Sequence, residues 1–206
     1  MILKLENMLA RNNKIMNENQ KHLNHTDTVN LGSYYTPEII VDLTYSILQK
    51  NILNVKDFTI LDSSCGYGSF LAKKNIAKRV VGADIDEKAI SEAKKRINNI
   101  DFICQNSLVS VCRKNLAIKN DEKLIAIGNP PYNDITSIIR NSIKDASIQD
   151  KIDSDVKTRD LGMSFLLSYN KLQADFVCVL HPLSYLIKKA NFALLSKFAK
   201  NYKLID

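Results

Sequence analysis

The chain has 206 residues, 45% of them apolar and 25% charged, with a formal net charge of +7. That is enough for one sizeable core in an ordinary globular domain, and the basic surplus fits a polyanionic partner or simply a lysine-rich surface. There is no apolar run of roughly 18 residues, no signal-peptide core and no CxxC pairing among the four cysteines, which argues against a membrane span, a metal site and a disulfide framework and fits a reducing cytoplasm.

Residues 1–30 are polar and rich in Asn and Lys, and they read as a helical arm ahead of the domain proper at 31–206. His22 and His25 in that arm lack partner acids at ligand spacing and read as surface. "YTPEIIVDLTYSILQKNI" follows as a helix, with Thr36 as N-cap, Pro37 at its first position, and Ile40, Leu43 and Ile47 on an inward stripe. Five short apolar runs then alternate with helical segments: "FTILD" (58–62), "RVVGADI" (79–85), "DFICQN" (101–106), "LIAIG" (124–128) and "DFVCVL" (175–180). Their residues are apolar in succession, as in strands covered on both faces. "DEKAISEAKKRINN" reads as a helix capped by Asp86, with Ala89, Ile90, Ala93 and Ile97 on one face. Strands alternating with helices predict a doubly wound α/β fold with a mainly parallel, Rossmann-like sheet. Residues 133–160 form a long polar insertion, either a functional lid or a disordered loop.

Two stretches carry chemistry. In "ILDSSCGYGSF" a strand ends at Asp62, and Gly66 and Gly68 follow in a tight turn where backbone can approach a ligand. A GxG alone is a weak signal. It gains weight because Asp84 follows about 20 residues later at the end of the next strand, where a carboxylate accepts from ribose hydroxyls. Leu71 stands where a dinucleotide fingerprint has its third glycine, which argues against a bound pyrophosphate. An adenosine cofactor without phosphates, S-adenosylmethionine, fits better. In "LIAIGNPPYND" a strand breaks into Asn129, Pro130, Pro131 and Tyr132. Two prolines cannot serve a central ladder, so they hold the backbone out of the sheet at its ligand-bearing edge. Asn129 offers an amide oxygen and Tyr132 a flat face, which suits a planar base with an exocyclic amino group. An isolated Pro-rich turn would be the bland alternative.

The order "GSYYTP", "LDSSCGYGSF", "GADID", "NSL", "GNPPY" and "FVCVLHPLSYL" resembles the gamma-type N6-adenine DNA methyltransferases over roughly residues 30–205. The resemblance implies a class I fold that binds S-adenosylmethionine and methylates an adenine turned out of DNA, within a restriction–modification system. It implies Tyr35 and Thr36 near the cofactor's methionine end, and Asp62, Cys65, Gly66 and Gly68 along its methionine and ribose. Asp84 would take the ribose hydroxyls, Ile85 the adenine ring, and Asn129, Pro130, Pro131 and Tyr132 the target base. Asn106 would accept from the cofactor's adenine amino group where the family usually has an aspartate, and Ser63 and Ser64 stand where Pro and Ala are common. The family pattern continues with a β-hairpin that closes the sheet and a DNA-reading domain, so the C-terminal strands and target-recognition domain are expected to be missing here, the chain being either a truncated fragment or completed by a second polypeptide or domain.

Two rivals stay open at this point. One is an NPPY methyltransferase acting on RNA or on a protein glutamine, and the other an inactive subunit that serves as a binding partner. His181 reads as a loop residue at a strand end, and Glu92 with Lys95 or Arg96 as a solvated helix face.

Overall fold

The structure is a computed structural model and describes residues 36–132, 151–182, 195, 196 and 198–205. The arm at 1–30, Tyr35, and residues 133–150 of the insertion lie outside the described residues.

Helix α1 (Glu38–Asn51) leads into β1 (Phe58–Asp62), a 3-10 segment at Ser69–Ile76, β2 (Arg79–Asp84), α2 (Glu87–Arg96) and β3 (Asp101–Cys104). Then come β4 (Lys123–Gly128), α3 (Leu161–Lys171) and β5 (Phe176–Val179). The sheet has the order β3-β2-β1-β4-β5 and every pairing is parallel. This is the doubly wound α/β arrangement, with β1 at the centre and the chain crossing from β3 to β4 on its far side.

The continuous apolar runs are explained by two cores. Ile60, Val80, Ile125 and Ile127 pack with Val41, Tyr45 and Leu48 of α1 and with Leu71 and Ile90. Their neighbours Leu61, Val81, Leu124 and Ala126 face the opposite core with Leu116, Ile152, Val156, Met163 and Tyr169. Successive strand residues point to opposite faces, and here both faces are covered.

Two readings of the sequence need correction. Helix α1 turns in Val41, Thr44, Tyr45 and Leu48, whereas Leu43 is 56% exposed and Ile40 and Ile47 are only half-buried. Apolar residues cover two adjacent faces of this helix, so the helical period has two solutions, and packing on β5 and on the Ser69–Ile76 segment selects the other. Pro37, not Thr36, occupies the N-cap, and no side chain caps the helix. The polar stretch before α3 is also no loose loop in its described part. Ile152 and Val156 are buried, and Asp153 accepts from the amides of Ser110 and Val111 and from Lys171. Helix α2 matches its reading: Asp86 accepts from the Lys88 and Ala89 amides, and Glu92 pairs with Lys95 at the surface.

Candidate functional site

In an open parallel sheet, ligands meet the carboxyl ends of strands where the strand order reverses. Here that edge lies at the ends of β1 and β4, beside β2, and it gathers Asp62, the glycine turn, Asp84 and Asn129–Tyr132.

Asp62 closes β1 and is 1% exposed. The Ser64 amide donates to its Oδ1 at 3.2 Å. Burial pushes its carboxyl up to about 8, and nearby Asp84 adds to the rise. Asp84 is raised as well, again chiefly by burial, with the amides of Asp86 and Gly66 working against it. Those amides reach it at 2.9 and 2.7 Å. Among the described residues neither carboxylate has an ion-pair partner. A buried acidic pair of this kind favours a cationic or hydroxyl-rich ligand, whose donors restore what desolvation removes.

The turn between them is held by Cys65, whose amide donates to Ala83 O at 2.9 Å, and by Gly68, whose amide donates to Cys65 O at 2.8 Å. The Cys65 thiol is buried in the core beside Leu71, and that burial pushes its ionisation well above the usual range. Gly66 adopts φ +49°, and a Cβ there would meet nothing within 4 Å. The turn therefore faces open space at this position. Gly68 instead abuts Ile97, at the end of α2.

Past the ends of β2 and β3 lies a cleft of about 370 Å³, lined by Ile85, Gln105, Asn106, Val109, Asn115 and Lys151 among others. Ile85 and Asn106 were legible in the sequence. Ile85 is 44% exposed and gives the cleft an apolar wall. Asn106 Oδ1 accepts from the Leu108 amide at 3.0 Å, which fixes its side chain in a local turn. Lys151 was missed, because nothing in the sequence returns that segment to the sheet edge. Its anchor is the neighbouring Asp153, whose amide donates to Leu108 O at 3.0 Å.

At the end of β4, Gly128 pairs with Val179 and accepts from the Leu180 amide at 2.9 Å, so the exits of β4 and β5 run side by side. That brings His181 to Tyr132, with ring centroids 6.1 Å apart and tilted by 51°. Burial pulls the imidazole down to about 4, so His181 is neutral at pH 7. Asn129 is clasped on both sides. Its Nδ2 donates to Thr36 Oγ1 at 3.3 Å, and its Oδ1 accepts from the Tyr132 hydroxyl. An amide oxygen has two lone pairs, so one remains for an incoming donor. Among the described residues no group of His, Cys, Asp and Glu could hold a metal ion, and no helix is long and apolar enough to cross a membrane.

The profile of a family described as N-6 DNA methylase matches residues 20–198. Among solved structures, the methyltransferase subunit of a type I restriction-modification system from Streptococcus thermophilus superposes with a TM-score of 0.54 at 17% identity, covering 80% of this chain and 38% of that one. A candidate RNA methyltransferase from Pyrococcus horikoshii superposes with a TM-score of 0.51 at 14% identity, over 81% of this chain and 72% of that one. At such identities the likeness concerns the fold, and this chain spans well under half the length of the Streptococcus subunit. No curated protein sequence matches it.

Proposed function

Because the chain belongs to the N-6 DNA methylase family, we propose that it methylates the N6 amino group of adenine in DNA, with S-adenosylmethionine as the donor. The observation that carries this reading is the meeting, at one sheet edge, of the clasped Asn129 amide with the buried Asp62–Asp84 pair and its glycine turn. The setting we favour is restriction–modification, with sequence recognition supplied by a second polypeptide or domain.

The residues present fit the cofactor by their chemistry. Asp84 supplies a carboxylate for ribose hydroxyls, Ile85 an exposed apolar wall for adenine, and Asn106 a polar edge in the same cleft. Gly66 leaves room beside them, and a positively charged sulfonium nearby would favour the ionised forms of Asp62 and Asp84 that burial otherwise disfavours. When bound, S-adenosylmethionine supplies an electrophilic methyl group on that sulfonium.

The protein's own task is to prepare the acceptor. Adenine's amino nitrogen is a poor nucleophile because its lone pair is delocalised into the ring. Asn129 Oδ1 accepts one amino hydrogen and the Pro130 carbonyl accepts the other. The nitrogen is thereby drawn toward a tetrahedral shape, with its lone pair directed outward. This is catalysis by orientation and fixed dipoles. Tyr132 stacks on the extruded base and offsets part of the few kcal/mol that extrusion costs. His181, neutral beside Tyr132, adds bulk to the pocket wall without adding charge.

The experiment is methyl transfer from labelled cofactor to unmethylated DNA, RNA and protein in parallel. Transfer to DNA adenine supports the reading, and transfer to RNA or protein alone replaces the acceptor. Asn129→Ala is expected to lose transfer while binding cofactor with nearly unchanged affinity by calorimetry. Full turnover in that variant would remove Asn129 from the chemistry.

A further inference from the structure

The role proposed for Asn129 depends on which way its amide points. Oδ1 and Nδ2 are nearly alike in size, and half a turn about the last side-chain torsion exchanges an acceptor for a donor. With the oxygen toward the base, an amino hydrogen is accepted. Turned over, the amide presents its own hydrogens to the amino group and repels it.

Two hydroxyls hold this amide. Thr36 lies just ahead of α1, is 4% exposed, and meets Asn129 across 93 residues of sequence. Its hydroxyl is not spent on the helix, which has no side-chain cap. Tyr132 holds the other end. Either hydroxyl could in principle donate or accept, but the two are not equivalent. A phenol is the more acidic donor, with an ordinary pKa near 10, and its oxygen lone pair is partly withdrawn into the ring. An aliphatic hydroxyl oxygen is the better acceptor. The favourable polarity therefore runs from the Tyr132 O–H to Oδ1, and from Nδ2–H to Thr36 Oγ1, as the structure has it. With Thr36 almost completely buried, water does not compete for that contact.

We infer that Thr36 is a positioning residue: by accepting from Asn129 Nδ2 it keeps Oδ1 turned toward the substrate amino group. This rests on the function proposed above, and it gives Thr36 a task different from lining the cofactor's methionine end.

The test uses the full chain and the variants Thr36→Val, which keeps volume and removes the acceptor, and Thr36→Ser, which restores it. In Thr36→Val, kcat for methyl transfer to DNA is expected to fall about tenfold, the scale of one neutral hydrogen bond lost from the transition state. Cofactor affinity should stay within about twofold of wild type in the same variant, and Thr36→Ser should regain most of the rate. In an Asn129→Asp background both side-chain oxygens accept, so Thr36→Val should cost nothing further. A second readout needs no turnover. The side-chain amide protons of Asn129, identified by their loss in Asn129→Asp, should exchange with solvent several-fold faster in Thr36→Val than in wild type. If the valine variant does not fold, Thr36→Ala serves in its place. Unchanged kcat with unchanged exchange overturns the inference. So does weakened cofactor binding in place of a lower kcat, since that assigns Thr36 to the cofactor. Exchange that responds to Thr36 in a wild-type protein inactive on DNA, RNA and protein overturns the proposed function, and with it the positioning role, while leaving the contact itself intact.

Discussion

Replacing Gly128 by alanine tests whether the end of β4 is fixed by the site or merely tolerated there. Gly128 has φ +132°, and a Cβ would lie 2.5 Å from Asp62 Oδ1 and 2.9 Å from its Cγ. Ordinary contact begins near 3.4 Å, so one group must move by about 0.9 Å. Asp62 has nowhere to go: it is 1% exposed and sits on the central strand, paired to β2 on one side and β4 on the other. The strained φ costs about 1–3 kcal/mol and overpacking a further 1–3 kcal/mol. The expected loss is therefore about 4 kcal/mol, or a fall in Tm of about 10 °C for a chain of this size. Urea and thermal unfolding followed by far-ultraviolet circular dichroism measure it. Gly66→Ala is the control, since φ +49° is unfavourable there but a Cβ meets nothing within 4 Å. Its cost should be only about 1–2 kcal/mol, the left-handed strain alone. A Gly128→Ala protein within about 1 kcal/mol of wild type, or a Gly66→Ala protein equally damaged, would refute the steric reasoning.

Two further outcomes follow from the same geometry. Arg113 donates to the backbone carbonyls of Leu172, Lys119, Asn120, Glu122 and Gln173, so it ties the segment before β4 to the end of α3. Arg113→Ala is expected to lose about 2–3 kcal/mol in urea unfolding, while Arg113→Lys recovers little because one ammonium cannot span those acceptors; full stability in the alanine variant would show the carbonyls to be satisfied without it. Asp62 is held up to about 8 in the folded state against an ordinary value near 3.8, so in that interval the native protein carries the extra proton. Its contribution is complete below about pH 4 and is lost as pH rises through about 8, at up to about 1.4 kcal/mol per pH unit. Asp62→Asn, which cannot ionise, should flatten that decline in unfolding free energy between pH 5 and 8, and an undiminished slope would show that Asp62 is not its source.

The strands were legible because a doubly covered sheet demands apolar residues in succession, and each run fell within two residues of its strand. Asp86 and the α2 face were legible because a cap and one clean stripe leave a single solution. Helix α1 misled because Ile39, Ile40, Val41, Leu43 and Leu48 offer two adjacent stripes, and only the sheet decides between them. Helix α3 left no periodic signal, since Gly162–Tyr169 are buried all the way round. In the site, Asp62, Asp84 and Asn129 could be found because strand order alone brings strand ends together. The Thr36–Asn129 bond and the Tyr132–His181 contact could not. They depend on the seat of α1 and on the Gly128–Val179 register, which no local pattern encodes.

Three successive sequence choices end β4, and each has a separate physical reason. Gly128 takes a backbone angle that L side chains rarely adopt and leaves its neighbour Asp62 room. Pro130 and Pro131 have no amide to offer a continuing ladder, although β5 still runs alongside as far as the Leu180 amide. Between them Asn129 is left off the sheet with its side chain held by Tyr132 from the turn and by Thr36 from the approach to α1. A regular strand would have sent that side chain into one of the two packed cores. The glycine and the prolines are thus the scaffold of the candidate site, and the half-buried Asn129 amide owes its place off the sheet to them.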